Sequence, residues 1–134
     1  MIFKMKIRSP RIVDKVWGRE EIIVDNGKYA GKRLILNRGY RCSIHSHEKT
    51  ETFYIDSGSV YLELESDQGI MESSLLRSGD VVDISSNRNH RFSGLVDSII
   101  LEFSTPDCES IRETQSEEIP NFENWRKEIL ARFV

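Results

Sequence analysis

Apolar and polar side chains alternate most clearly over residues 60–65 of the chain. The even positions are Val60, Leu62 and Leu64, and the odd positions are Tyr61, Glu63 and Glu65. Successive side chains of a β-strand point to opposite faces of its sheet. The pattern therefore predicts a strand whose even side chains are buried and whose odd side chains lie in water.

Shorter runs of the same kind recur along the chain, and residues that favour turns separate them. The predicted strands are 20–25, 29–37, 45–47, 51–56, 60–65, 70–76, 81–84, 90–92 and 98–103. Between the first two, Asn26-Gly27 is the strongest hairpin signal in the sequence. Regularly spaced short strands with glycine-rich turns predict an all-β antiparallel sandwich or barrel.

The end of the chain follows a helical period instead. Residues 121–133, after Pro120, carry apolar side chains at helical spacing with Lys and Glu between them. These apolar residues are Phe122, Trp125, Ile129, Leu130 and Phe133. The spacing predicts one amphipathic helix, which packs on the outside of the barrel or on a partner subunit.

Composition predicts one ordinary globular domain over residues 1–134, with a barrel core at about 20–104 and the helix at about 121–133. Hydrophobic residues make up 38% of the chain and charged residues 31%, with a net charge of −3. This balance offers no basic surface for nucleic acid or for a membrane. Charges interrupt the apolar residues of the N-terminus, so we expect no signal peptide, no membrane span and a cytoplasmic location.

All three histidines of the chain belong to one possible metal-binding pattern. His45 and His47 share one face of a predicted strand, Glu51 begins the next strand, and His90 lies far downstream. Three neutral imidazoles and one carboxylate suit a single divalent transition metal, namely Zn, Mn, Fe, Ni or Co. The alternative is three scattered surface histidines. Cys42 is out of phase with His45, so we expect its thiol to face away from the metal.

The glycines around these residues connect the pattern to a known family. Gly39 and Gly58 bracket the ligands in the order G-x5-H-x-H-x3-E-x6-G, which resembles the first signature motif of the cupin superfamily at every position. The resemblance implies a double-stranded β-helix, or jelly-roll barrel. A metal in such a barrel is expected to lie in a narrow, mostly apolar mouth.

A second stretch, from Gly79 to His90, resembles the second cupin motif, G-x5-P-x-G-x2-H-x3-N. Ser85, Asn87 and Gly94 replace the proline, the second glycine and the asparagine of that motif. Asn87 can still adopt a left-handed turn conformation, so the histidine is retained and the loop shape differs.

Residues 15–21, K-V-W-G-R-E-E, resemble the K-P-W-G-x-E-E opening of cupin-type mannose-6-phosphate isomerases, with Val16 in place of the proline. Residues 32–34, 99–104 and 110–112 are similar to later segments of that family. Residues 42–44 depart from it, because the family carries a bulkier segment with a glutamine there. The resemblance implies aldose–ketose isomerisation of a sugar or sugar phosphate, with the metal at the C1 and C2 oxygens and a general base that moves the proton between those carbons.

Two residues are candidates for that base, Glu102 first and Lys15 second. An apolar setting would raise the pKa of Glu102 if the side chain is buried. The alternative follows from strand alternation with Leu101 and Phe103, which would turn Glu102 outward to solvent.

The same resemblance suggests residues that bind the substrate. Lys32, Arg33 and Arg112 could hold a phosphate group, although each taken singly is more often a solvated surface charge. Trp17 is either a platform for a sugar ring or an anchor for the N-terminal arm, and the anchor is favoured. In the anchor interpretation, Gly18 permits a tight approach of the chain.

Two other functions remain open at this stage: an Fe(II)-dependent cupin dioxygenase, and a cupin that binds a small carbohydrate without turning it over. The expected ligand is a small molecule, with no nucleic acid or membrane partner. Free strand edges favour a homodimer formed through the N-terminal strands or through the helix.

Overall fold

The computed structural model describes residues 2–133, and two antiparallel β-sheets that face each other dominate it. These residues form thirteen strands and one helix: β1 (Arg11–Lys15), β2 (Gly18–Asp25), β3 (Ala30–Leu36), β4 (Tyr40–Arg41), β5 (His45–His47), β6 (Glu51–Ser57), β7 (Ser59–Glu65), β8 (Met71–Arg77), β9 (Val81–Ile84), β10 (His90–Gly94), β11 (Ser98–Ser104), β12 (Ser110–Arg112), β13 (Glu117–Glu118) and α1 (Phe122–Arg132).

The first sheet has the strand order β1-β2-β3-β11-β6-β9, and the second contains β12-β5-β10-β4-β13. In the second sheet β7 also pairs with β10, and β8 pairs with β7. This arrangement confirms the predicted all-β jelly roll with one short C-terminal helix. All nine predicted strands are present, with ends within two residues of the expected ones.

The inner faces of the two sheets enclose the apolar core, and each sheet contributes alternate side chains to it. The largest fully buried members are Phe53, Leu34, Leu36, Ile55, Ile84 and Ile100. Each contributes about 1.5–3 kcal/mol through burial. The inner face of β3 changes from Leu36 and Leu34 to Lys32, and that of β11 from Ile100 to Glu102. Buried charge therefore gathers at one end of the barrel.

Helix α1 covers the outer face of the second sheet, so the helix packs on the barrel of its own chain. Ile129 is buried there among Tyr61, Leu75 and Leu95, and the Trp125 ring meets Tyr61 edge-on at 5.7 Å. This packing corrects one expectation. Tyr61 was predicted to lie in water, but it is buried because the helix covers it.

A tight approach of two strands fixes the N-terminal arm, as the anchor interpretation of Trp17 predicted. A Cβ on Gly18, whose φ is +147°, would lie 1.8 Å from the carbonyl oxygen of Ile35. The buried Trp17 ring meets Phe92 edge-on at 5.1 Å, and its carbonyl accepts a hydrogen bond from Asn37 N. Only glycine fits this contact, which holds β1 and β2 against the barrel.

Across residues 2–133, no helix combines the length and the apolar character needed to cross a membrane.

Candidate metal centre

The three histidines come together between two neighbouring strands at the charged end of the barrel. His45 and His47 lie on β5, and His90 lies directly opposite His45 at the start of β10. Their potential ligand atoms are all within 4.8 Å of one another. The pairing of β5 with β10 thus brings His90 next to His45 although the two are far apart in the sequence. The predicted metal site requires this proximity.

The tautomer of each imidazole is fixed by a backbone carbonyl. The contacts are His45 Nδ1 with Ser43 O at 2.8 Å, His47 Nδ1 with Lys49 O at 3.2 Å, and His90 Nδ1 with Arg88 O at 2.9 Å. A carbonyl can only accept, so each Nδ1 carries the proton and donates it. In the neutral ring each Nε2 then has a free lone pair, which is the usual arrangement of histidines that bind a metal.

Glu51, at the start of β6, lies across from these nitrogens. Its Oε1 is 3.2 Å from His90 Nε2 and its Oε2 is 3.3 Å from His47 Nε2. Two ligand atoms bound at right angles to one divalent ion are roughly 3 Å apart, since each bond is about 2.1 Å long. The spacing of the carboxylate and the imidazoles therefore fits ligands of one ion.

Two unsatisfied atoms point to the same conclusion. His90 Nε2 and Glu51 Oε2 are buried and make no hydrogen bond, and each such atom costs about 1–3 kcal/mol. A divalent cation between them would satisfy both. Burial, with a contribution from His90, also lowers the pKa of His45 to about 4, so the ring is neutral as a ligand must be. These residues fit a divalent transition metal.

His45, His47 and Glu51 line a cavity of about 260 Å³. Charged side chains dominate its wall, namely Lys15, Glu20, Lys32, Lys49, Glu102, Asp107, Glu109 and Arg112. The expectation of a mostly apolar mouth is therefore wrong. The mouth is charged because the inward-facing positions of β3 and β11 at this end of the barrel are Lys32 and Glu102.

Glu102 points into this cavity rather than to solvent. The side chain is buried, and its Oε2 lies 3.1 Å from the Nζ of Lys49. Burial and the nearby charge of Glu51 raise its pKa, which the two lysines near it only partly offset. Leu101 and Phe103 occupy the outer face, so alternation places Glu102 inward, on the face of Ile100.

The predicted substrate residues divide into two groups. Lys15, Lys32, Arg112 and Trp17 line the cavity. Lys15 Nζ lies 3.7 Å from Glu20, and Arg112 donates a hydrogen bond to Ser43 Oγ. Arg33 corrects its prediction: it lies on the outer face of β3 and donates to Glu21 at 2.8 Å. Strand alternation with Lys32 carries it away from the cavity.

Two residues at the centre of the cavity were not singled out from the sequence. Lys49 Nζ lies 2.7 Å from Asp107 Oδ1 and 3.6 Å from Glu51 Oε2. Lys49 lies in the turn between β5 and β6, so strand alternation gave no signal for it. Asp107 follows β11 in an irregular segment and carried no such signal.

Cys42 also departs from its prediction, because it lines the cavity instead of facing away from it. Strand β4 ends at Arg41, so the alternation between Cys42 and His45 is broken. The buried sulfur accepts a hydrogen bond from Phe92 N, and burial raises the pKa of the thiol to about 12. The thiol is therefore neutral and lies outside the histidine cluster.

No protein-family model and no curated protein matches the sequence. Solved structures do resemble it. An RmlC-like cupin from Shewanella frigidimarina is 16% identical, with 75% of this chain and 86% of that chain covered and a TM-score of 0.64. KdgF from Halomonas sp. is 22% identical, with 68% and 80% covered and a TM-score of 0.60. The oxalate decarboxylase of Lactobacillus farciminis, in complex with formate, is 16% identical over 98% of this chain and 42% of that chain, with a TM-score of 0.68.

These likenesses establish that the chain has the cupin fold. They agree with the two cupin motifs and with the convergence of the three histidines, which together support a metal at this site.

Proposed function

We propose that the protein is a metal-dependent isomerase that interconverts an aldose and a ketose, with a sugar or sugar phosphate as its substrate. The observation that carries the proposal is the position of Glu102. This buried carboxyl, whose pKa is raised, shares one cavity with His45, His47 and Glu51, and His90 lies in the same histidine cluster. The resemblance of residues 15–21 to mannose-6-phosphate isomerases points to the same reaction.

Isomerisation moves a proton between two adjacent carbon atoms, so one group must take the proton and return it. A carboxyl with a raised pKa is suited to that role near neutral pH. A divalent metal on the three imidazoles and Glu51 would polarise the carbonyl and hydroxyl oxygens of the substrate and stabilise developing negative charge. Lys49 holds Glu102 Oε2 in place by a hydrogen bond.

The dimensions of the cavity favour a small substrate. Its volume of about 260 Å³ lies just below the roughly 300–1,000 Å³ of ordinary ligand pockets, which suits one monosaccharide. The positive groups of Lys15 and Arg112 lie where they can meet hydroxyl or phosphate oxygens.

The reaction can be tested with metal-loaded protein in D2O. Aldoses, ketoses and their phosphates are supplied, and NMR follows their interconversion and the entry of deuterium at C1 of the ketose and at C2 of the aldose. Deuterium entry reports proton abstraction even where net conversion is small. We expect Glu102→Gln to lower kcat by about 10²–10⁴-fold, the usual contribution of a general base. Glu128→Gln, on the exposed face of α1, is the matched control and should keep full activity.

Other outcomes would replace this function with a different one. Saturable sugar binding without deuterium entry would indicate a cupin that only binds its ligand. Substrate-dependent consumption of oxygen would indicate a dioxygenase. Full activity in Glu102→Gln would remove Glu102 from the mechanism.

A further inference from the structure

One carboxylate in the cavity lies between two buried ammonium groups. Asp107 Oδ1 is 2.7 Å from Lys49 Nζ, and Asp107 Oδ2 is 2.9 Å from Lys32 Nζ. The two lysine side chains are only 6% and 4% exposed, whereas that of Asp107 is 34% exposed. Each carboxylate oxygen therefore has its own ammonium partner, and the pair of lysines forms a two-point anion site.

The two lysines and Asp107 come from different kinds of structural element. Lys32 lies on β3, between β2 and β11 near the middle of its sheet, and Lys49 lies between the ligands His47 and Glu51. Asp107 belongs to the irregular segment that joins β11 to β12. Lys32 is thus part of a sheet and Lys49 belongs to the short turn between β5 and β6, while the carboxylate comes from a longer irregular segment at the surface.

Each of the two lysines has a second carboxylate nearby, which partly balances its positive charge when Asp107 moves away. Lys49 Nζ lies 3.1 Å from Glu102 Oε2, and Lys32 Nζ lies 3.7 Å from Glu20 Oε2. Because a buried ammonium without a partner is costly, these contacts allow Asp107 to leave once another anion takes its place.

We propose that Lys32 and Lys49 bind a carboxylate or phosphate group of the substrate, and that Asp107 occupies this position until the substrate displaces it. The inference rests on the proposed function for the rest of the substrate, and it narrows the substrate class from sugars in general to sugar acids or sugar phosphates. Both groups present paired anionic oxygens, the chemistry that the two ammonium groups hold in Asp107.

The position of this site explains why an anionic group is useful there. Lys49 Nζ lies 3.6 Å from Glu51 Oε2 as well as beside Glu102. An anion held by Lys49 is therefore adjacent both to a metal ligand and to the proposed base. Its binding orients the rest of the substrate within the cavity that holds both groups.

The proposal predicts that removing the internal competitor tightens anion binding. A ligand whose site is open only part of the time binds more weakly in proportion to the open fraction. In Asp107→Asn the carboxylate no longer competes, so we expect the Kd for inorganic phosphate to fall by about tenfold. Glu113→Gln makes the same change of charge at an exposed residue outside the cavity, and its Kd should stay within about twofold of wild type.

Isothermal titration calorimetry with the metal-loaded protein tests this. Inorganic phosphate and acetate are titrated separately into wild type, Asp107→Asn, Glu113→Gln and Asp107→Asn/Lys32→Met. The double variant should lose the gain in affinity. Tighter binding of phosphate than of acetate in Asp107→Asn would assign a sugar phosphate, and the reverse order a sugar acid. Thermal unfolding confirms that each variant is folded, and Asp107→Asn decides the question alone if the double variant is not.

The inference would be overturned if the Asp107→Asn variant bound neither phosphate nor acetate more tightly than wild type does. An undiminished gain in the double variant would also overturn it, because the anion would then lie on the metal and not on the lysines. A tightened site without isomerisation of any sugar phosphate or sugar acid would refute the proposed reaction and leave this anion site standing.

Discussion

At the scale of single residues, the metal centre depends on three imidazoles that are each held in one tautomer by a backbone carbonyl. The carbonyls orient the rings before a metal binds. The entropy of ordering these side chains is therefore lost on folding and not on metal binding. The same contacts turn the three Nε2 atoms towards one another and towards the carboxylate of Glu51. Removing one ring should therefore reduce the affinity for metal more than it reduces the stability of the fold.

His47→Ala is the first prediction at this scale. We expect one divalent ion per chain in the wild type and less than one in the variant, because the remaining ligands bind a metal more weakly. Elemental analysis of the purified proteins measures the ratio. Ser46→Ala changes the residue between the two histidines, whose side chain belongs to the opposite face of β5, and should retain the metal. Full metal content in His47→Ala would contradict the assignment of the site.

Asp107 gives a prediction about acid stability. Burial alone would raise its pKa, but hydrogen bonds from Lys49 and Lys32 outweigh burial and lower the pKa from 3.8 to about 2. A pKa that is lower in the folded state stabilises the protein above the unfolded value, and the stabilisation is lost as pH falls from about 4 to about 2. Because the side chain is one-third exposed, solvent screening limits the effect to about 1 kcal/mol.

The measurement is the free energy of unfolding of wild type and Asp107→Asn in urea, with chelator present so that loss of metal does not contribute. The difference between the two proteins should be present at pH 5 and should shrink as pH falls from about 4 towards 2. A difference that stays constant over that interval would show that the lysine contacts do not shift the pKa of this carboxyl.

At the scale of elements, α1 packs on the face of the second sheet that is remote from the cavity. Ile129 is 2% exposed among Tyr61, Leu75 and Leu95. Ile129→Ala should lower the free energy of unfolding by about 2–4 kcal/mol through lost burial and the cavity left behind. Metal content should not change. Glu128→Ala, the exposed neighbour on the same helix, should change stability by less than about 0.5 kcal/mol. A loss of metal in folded Ile129→Ala would show that the helix supports the site.

The strands show which parts of the fold the sequence can predict. Most of the nine predicted strands have alternation or a β-branched run bounded by turn residues, which is a local signal, whereas residues 45–47 were predicted from the spacing of their histidines. Strands β4 and β13 have two residues each, too few to show any period. Strand β1 lies at an edge with mixed exposure, so its pattern lacks a clear buried face. Tyr61 was placed wrongly because a strand pattern does not reveal that a distant helix covers its outer face.

The candidate site divides in a similar way. The metal ligands were predictable because histidine is rare in this chain and its spacing matches strand alternation. The inward direction of Glu102 and the outward direction of Arg33 needed the register of β3 against β11. Asp107 lies 75 positions from Lys32 in the sequence, and only the closed barrel brings the two together. Contacts of that kind leave no local pattern.

At the scale of the whole molecule, the homodimer remains a prediction, and the structure narrows the surface that could form it. The apolar face of α1 is buried on its own chain. The other predicted route is through the N-terminal strands, and the segment 2–10, which precedes β1, is called the arm below. Residues 2–10 form no strand, and their apolar side chains are largely exposed. These are Ile2 at 94%, Phe3 at 87%, Met5 at 69% and Ile7 at 87%.

Over residues 3–8 these apolar side chains alternate with Lys4, Lys6 and Arg8, the pattern of a strand with one face to bury. A second copy of the chain offers the free edge of β1 and a partner arm related by two-fold symmetry. We therefore expect a dimer by size-exclusion chromatography with light scattering. Substituting Phe3, Met5 and Ile7 together by Ser should give a monomer that still binds metal, because the cavity is lined by other residues.

Substituting Lys4, Lys6 and Arg8 by Ser is the matched control, since it alters the opposite side of the same segment. This variant should remain dimeric, because burial of apolar surface stabilises such an interface more than exposed charge does. A wild-type monomer at micromolar concentrations would remove the arm as an interface. A dimer that survives loss of the three apolar side chains would place the contact elsewhere, and the exposed side chains of Phe103 and Val81 on the first sheet would then be the surface to alter next.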